Sequence, residues 1–202
     1  MATREPQRKR MRRREGLDAR FLTFSCYNRL PLLGNARIRD QFVEAIVAAR
    51  RDQPFQLIAW VVMPEHVHMM ILPSPGHPVS RVMSALKRPF AEVVVGRWRE
   101  LKAGVLHRIT GEGGRARFWQ PGGGFDRNVR DEAELFREIA YIHENPVERG
   151  LAKKATDWAW SSARWYAGRR DGTVGVDRPW GMTQDRLLEG ERCMAERGGA
   201  LK

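Results

Sequence analysis

Cysteine is scarce in this chain of 202 residues. The two thiols, Cys26 and Cys193, lie far apart and form no CxxC pair, which argues against a disulfide scaffold and a zinc–thiolate site. Long apolar runs are also missing. No stretch approaches the ~18 residues needed to span a bilayer, and the N-terminus has no apolar segment of a secretory signal. Acidic residues are few: 24 Asp and Glu stand against 36 Lys and Arg, for a net charge of +12. An isoelectric point near 10.7 is out of place for an enzyme of small neutral metabolites and points to a polyanion, most often nucleic acid. These features together suggest a cytoplasmic protein without a membrane partner. Tyrosine is rare as well, with only Tyr27, Tyr141 and Tyr166.

The positive charge is uneven. Met1–Arg14 holds seven basic residues and one acid, with Arg12, Arg13 and Arg14 consecutive. Such a run is either a solvated tail or an arm that lies along phosphates. We expect a flexible arm over 1–19, one domain over 20–170 and a weakly patterned tail over 171–202.

Within the domain, "RFLTFSC" alternates Phe21, Thr23 and Ser25 with Leu22, Phe24 and Cys26, the period of a strand. Asn35 caps a predicted helix with Ile38, Phe42, Ile46 and Ala49 on one stripe. "FQLIAWVVMPEHVHMMILP" predicts strands over Phe55–Met63 and His66–Leu72 with Pro64 and Glu65 in the turn. A second helix follows, with Ser80 as its cap and a kink at Pro89. A short strand is expected over Arg117–Gln120. A third helix starts at Asp131, carries Leu135, Ile139 and Ile142 inward, and ends at Asn145-Pro146. The order of elements predicts an α+β fold: a ferredoxin-like split βαβ core with an antiparallel sheet, plus an added C-terminal helix.

His66 and His68 are two residues apart, so on a strand they share one face. Tyr141 and Asn145 are four apart, so on a helix they also share one. If that helix covers the histidine face, two imidazoles and an amide oxygen converge beside a phenol. With N and O donors, the expected cation is Mg²⁺ or Mn²⁺. Such a cation stabilises charge developing on a phosphodiester, and the phenol can attack phosphorus, conserving the ester bond energy for rejoining. Tyr27 and Tyr166 are weaker nucleophile candidates. Lys87, Arg88, Arg97, Arg127 and Arg130 are candidate phosphate contacts beside Arg12, Arg13 and Arg14. In "FWQPGGGFDRNVR" the glycines either let backbone approach DNA closely or shape a loop, with Trp119 and Phe125 in the core.

"MPEHVHMMI", "FWQPGGGFDRNV", "YIHENPVERGL" and "DWAWSSAR", in this order, resemble the tyrosine transposases of the IS200/IS605 group, above all their REP-associated branch. The resemblance covers roughly residues 20–170. It implies a single-strand DNA nuclease with a ferredoxin-like core, His66 and His68 as metal-binding pair, Asn145 as third ligand and Tyr141 as nucleophile. It also implies cleavage beside REP-like hairpins, leaving a 5′-phosphotyrosine and a free 3′-OH, in a monomer or a homodimer. Glu65 departs from the pattern, since many relatives carry Asn there. Two other readings remain open: a protein that binds repeat hairpins without cutting, and a metal-dependent hydrolase with a water nucleophile.

Overall fold

The structure is a computed structural model that describes residues 19–122, 124–169, 174–179, 182–183, 185–186 and 188–190. The expected arm, with Arg12, Arg13 and Arg14, lies outside the described residues, as does most of the expected tail. Four strands form one antiparallel sheet: β1 (Arg20–Ser25), β2 (Phe55–Val62), β3 (His66–Pro73) and β4 (Phe125–Asn128), in the spatial order β2-β3-β1-β4. Helices α1 (Ala36–Asp52) and α2 (Val79–Glu100) follow β1 and β3 respectively, which completes the ferredoxin-like topology. The short α3 (Leu106–Ile109) precedes β4, then come α4 (Glu132–Glu148) and the short α5 (Ala163–Tyr166). No helix among the described residues is long and apolar enough to cross a membrane.

The sheet is buried on both faces. Leu22, Phe24, Val67, Met69 and Ile71 pack with Phe42 and Ile46 of α1 and Leu86 and Phe90 of α2. On the opposite face Phe21, Ile58 and Met70 pack with Leu135, Ile139 and Ile142 of α4. Burial on both sides is why β2 and β3 are nearly continuous apolar runs. A polar pair in such a strand therefore stands out, and β3 has one: His66 and His68 share the α4 side with Met70.

The caps at Asn35 and Asp131 form as expected, their side chains accepting from the backbone N–H of Arg37 and Glu134. Four local expectations need correction. The residue capping α2 is Pro78, not Ser80. Asn145-Pro146 does not end α4. A proline in the last turn removes only one helical bond, and α4 continues to Glu148, with Arg149 N–H donating to the Asn145 carbonyl. Residues 117–120 form an isolated bridge, Trp119 with Cys26, and the edge strand lies at Phe125–Asn128.

The fourth correction explains the third. Gly124, at φ +76°, sits against β1 so closely that a Cβ would lie 2.2 Å from the Thr23 carbonyl oxygen. Its missing side chain lets β4 dock on β1, so at this position the close backbone approach is to the sheet. Trp119 is in the core, but Phe125 is 47% exposed, on the α4 side of the sheet.

Candidate active site

Strand pairing sets the first layer. Thr23 lies directly across from His68, and Ser25 across from His66. Thr23 Oγ1 is 2.7 Å from His68 Nδ1, and Glu65 Oε1 is 3.1 Å from His66 Nδ1. With both Nδ1 atoms engaged from behind, the two Nε2 atoms turn inward and meet at 3.0 Å. Burial holds both rings neutral: desolvation lowers the His66 pKa and pushes that of His68 down to about 3, aided by the neighbouring His66 and Arg29. A neutral imidazole with its proton on Nδ1 offers a lone pair at Nε2.

Helix α4 crosses this face. Asn145, 5% exposed, places Nδ2 3.4 Å from His68 Nε2, and a half-turn of the amide brings Oδ1 to the same place. The Tyr141 ring stands edge-on to His68 at 5.3 Å between centroids and 6.1 Å from Phe21, and the residue is 43% exposed. Both lie on the same chain as His66 and His68. His143, between them in sequence, points away and meets Ser162 Oγ at 2.8 Å.

The donor set fits a divalent cation. Two adjacent ligands on an octahedral ion with bonds of about 2.1 Å stand about 3 Å apart, close to the 3.0 Å between the two Nε2 atoms. Among the described residues no three His, Cys, Asp or Glu converge as a metal site; the side chain beside the two imidazoles is the Asn145 amide.

The rival tyrosines have other work. Tyr166 is 3% exposed and its hydroxyl donates to the Ile58 carbonyl. Tyr27 packs against the α1–α2 core.

The proposed DNA cations are sorted by their partners. Arg127 is 19% exposed and pairs with Glu134 and Glu138. Arg88 and Arg97 lie exposed on α2, bridged to Glu92 and Glu100. Lys87 is half-buried over Phe24 and Trp119, and burial lowers its pKa. The side chain of Arg130 is exposed, 3.5 Å from Glu134.

Sequence reasoning passed over Arg29, Arg137 and Arg149, which line the same open pocket of about 730 Å³ as Tyr141, His66 and His68. Arg29 and Arg137 make no ion pair among the described residues. The spacing of Arg137, four residues before Tyr141, was a signal available in the sequence. Arg29, 112 residues before Tyr141, gave none.

Comparisons with known proteins agree with this fold. The family described as "Transposase IS200 like" matches residues 19–122, which include both histidines and stop short of Tyr141 and Asn145. The chain is 32% identical over 119 residues to the REP-associated tyrosine transposase of Escherichia coli (strain K12), covering 58% of this chain and 60% of that relative's length. It is 26% identical over 155 residues to a Haemophilus influenzae protein assigned provisionally to the same group, covering 75% and 81% of the two chains. Its fold matches a solved REP-associated tyrosine transposase bound to a REP hairpin, with TM-score 0.63 and 24% identity over 88% of this chain and 98% of that one.

Proposed function

The chain belongs to the IS200-like transposase family, and we propose that it cleaves and rejoins single-stranded DNA beside REP-like hairpins through a 5′-phosphotyrosine. The observation that carries this reading is the placement of the exposed Tyr141 edge-on to His68, whose Nε2 faces that of His66.

Tyr141 is the nucleophile. As its Oη bonds to phosphorus, the phenolic proton leaves, the P–O3′ bond breaks and the departing 3′ oxygen takes up a proton. A 3′-OH attacking the same phosphorus reverses the step, so joining needs no nucleotide cofactor. His66, His68 and Asn145 would hold Mg²⁺ or Mn²⁺. When bound, the ion supplies charge stabilisation at the phosphodiester oxygens. Arg29 and Arg137, without ion pairs among the described residues, draw the single strand into the pocket beside the tyrosine and hold its phosphates. The exposed ring of Phe125 offers an unpaired base a stacking surface at the pocket's edge.

The hairpin is assigned to a second, larger groove of about 1120 Å³ between α2 and residues 115–122. Arg99, Arg115 and Arg117 line it without ion pairs among the described residues, next to the candidates Lys87 and Arg88. Arg127 is not part of this surface, because its guanidinium is taken up by two carboxylates.

The test is a labelled single strand carrying a genomic repeat hairpin, incubated with protein and Mn²⁺ and run on a denaturing gel. A covalent protein–DNA band, absent with EDTA and in Tyr141→Phe, is the expected result. Cleavage without an adduct would move the nucleophile to water. Binding without cleavage, after the repeat has been varied, would make the protein a hairpin-binding module.

A further inference from the structure

Glu65 sits in the turn between β2 and β3, directly before His66. Its Oε1 is approached from two sides: His66 Nδ1 lies 3.1 Å away, and Arg149 Nη2 donates to it over 2.7 Å. The Glu65 side chain is 14% exposed, that of Arg149 53%. Arg149 is the C-cap of α4, the helix carrying Tyr141 and Asn145. These contacts therefore tie the end of the tyrosine helix to the tip of the histidine hairpin.

Neither element uses these side chains for its own backbone bonds. The carbonyls of Pro64 and Glu65 accept from Leu33 and Cys26, and the Arg149 N–H donates to the carbonyls of Asn145 and Val147. The link is additional to the bonds that fold the turn and the helix, which points to a role in the site.

We infer that Glu65 and Arg149 are positioning residues: Glu65 holds His66 with its proton on Nδ1 and its Nε2 lone pair towards His68, and Arg149 holds Glu65 while setting α4 against the hairpin. A carboxylate only accepts, so the imidazole nitrogen facing it carries the hydrogen. Thr23, which backs His68, has a hydroxyl that can donate or accept, so it constrains its ring less. An amide at position 65 could still accept from the imidazole but could not form an ion pair with Arg149. The carboxylate thus serves two partners that an amide serves only in part. The consequence for cation binding rests on the ligand reading above; the consequence for the His66 tautomer does not.

Two measurements on the full chain separate these. The first is two-bond ¹H–¹⁵N correlation of the imidazoles in cation-free protein at neutral pH. We expect His66 as the Nδ1–H tautomer, shifting towards Nε2–H in Glu65→Ala and less so in Glu65→Gln. An unchanged tautomer in both variants overturns the inference.

The second is Mn²⁺ binding without DNA, read by the electron paramagnetic resonance of the free ion. We expect His68→Ala to abolish binding, Glu65→Ala to weaken it about 10–100-fold, and Glu65→Gln and Arg149→Ala to fall between Glu65→Ala and the parent. Parental affinity in both Glu65 variants, with none in His68→Ala, refutes the positioning role and leaves the metal site standing. Parental affinity in His68→Ala refutes the metal site, and the tautomer then decides the inference alone. Should Glu65→Ala fail to fold, Glu65→Gln carries both measurements. In cleavage assays Arg149→Ala should lower kcat at unchanged KM; a rise in KM alone would make it a DNA contact and overturn its part.

Discussion

His66 and His68 present their Nε2 atoms to one another across 3.0 Å, with ring planes 80° apart. Thr23 and Glu65 engage the opposite nitrogens, so the His66 Nε2 lone pair faces inward, where the Nε2–H of His68 or a bound cation can meet it. The Asn145 amide lies beside them, 3.4 Å from His68 Nε2. Asn145→Ala should weaken Mn²⁺ binding about tenfold or more, whereas Asn145→Asp, which keeps an oxygen donor, should retain it. Titration of adduct formation against Mn²⁺ concentration checks both. Equal requirements in all three proteins would remove Asn145 from the site.

The three tyrosines should separate cleanly. Tyr141→Phe should bind the hairpin strand with parental affinity and form no adduct. Tyr166→Phe should still form adduct but lose about 1–2 kcal/mol of stability, because the buried Ile58 carbonyl loses its donor. Tyr27→Phe should change neither property by much. Gel assays and urea denaturation give the two readouts, and adduct formation by Tyr141→Phe would transfer the nucleophile elsewhere.

The histidine pair also predicts how stability depends on pH. His68 titrates at about 3 in the folded chain and near 6.5 when unfolded, with burial as the main cause. Between these values the unfolded state binds more protons, so stability falls as pH drops below 6.5 and continues to fall towards 3. Burial lowers the His66 pKa as well, with the same sign. In the presence of chelator, urea denaturation at about pH 7.5 and about pH 5 should show a larger loss for the parent than for His68→Gln. Equal losses would mean that this histidine is not held neutral.

Arg29 and Arg137 line the tyrosine pocket without ion pairs among the described residues, whereas Arg127 is committed to Glu134 and Glu138. Arg29→Ala or Arg137→Ala should weaken single-strand binding and lower the slope of log affinity against log salt by about 0.7 each. Arg127→Ala should leave the slope alone and cost about 1–3 kcal/mol of stability by stranding a buried carboxylate. The opposite assignment of effects would reverse these roles.

Removing Met1–Arg14 takes away seven basic residues. If all seven lie on phosphates of the repeat strand, the salt slope falls by about 5. A slope equal to the full chain's would make the segment a solvated tail.

The elements of this site could be named from the chain because each follows a local period. Alternation in β1 put Thr23 on one face, the i, i+2 spacing put His66 and His68 together, and the i, i+4 spacing aligned Tyr141 with Asn145. The caps Asn35 and Asp131 are equally local, since a side chain there bonds a backbone N–H two or three residues ahead. The remainder depended on contacts between distant segments, which no period encodes. Glu65 meets Arg149 across 84 positions and Thr23 meets His68 across 45. The edge strand at Phe125–Asn128 has four residues, too few for a pattern, and exists because Gly124 lets it lie against Thr23. Charge misled for the same reason: an arginine is equally basic in sequence whether its partner is a phosphate or a glutamate. The folded chain satisfies Arg127 internally and gives Arg29 and Arg137 no ion pair among the described residues, because an ion pair forms only where packing brings the opposite charge within reach.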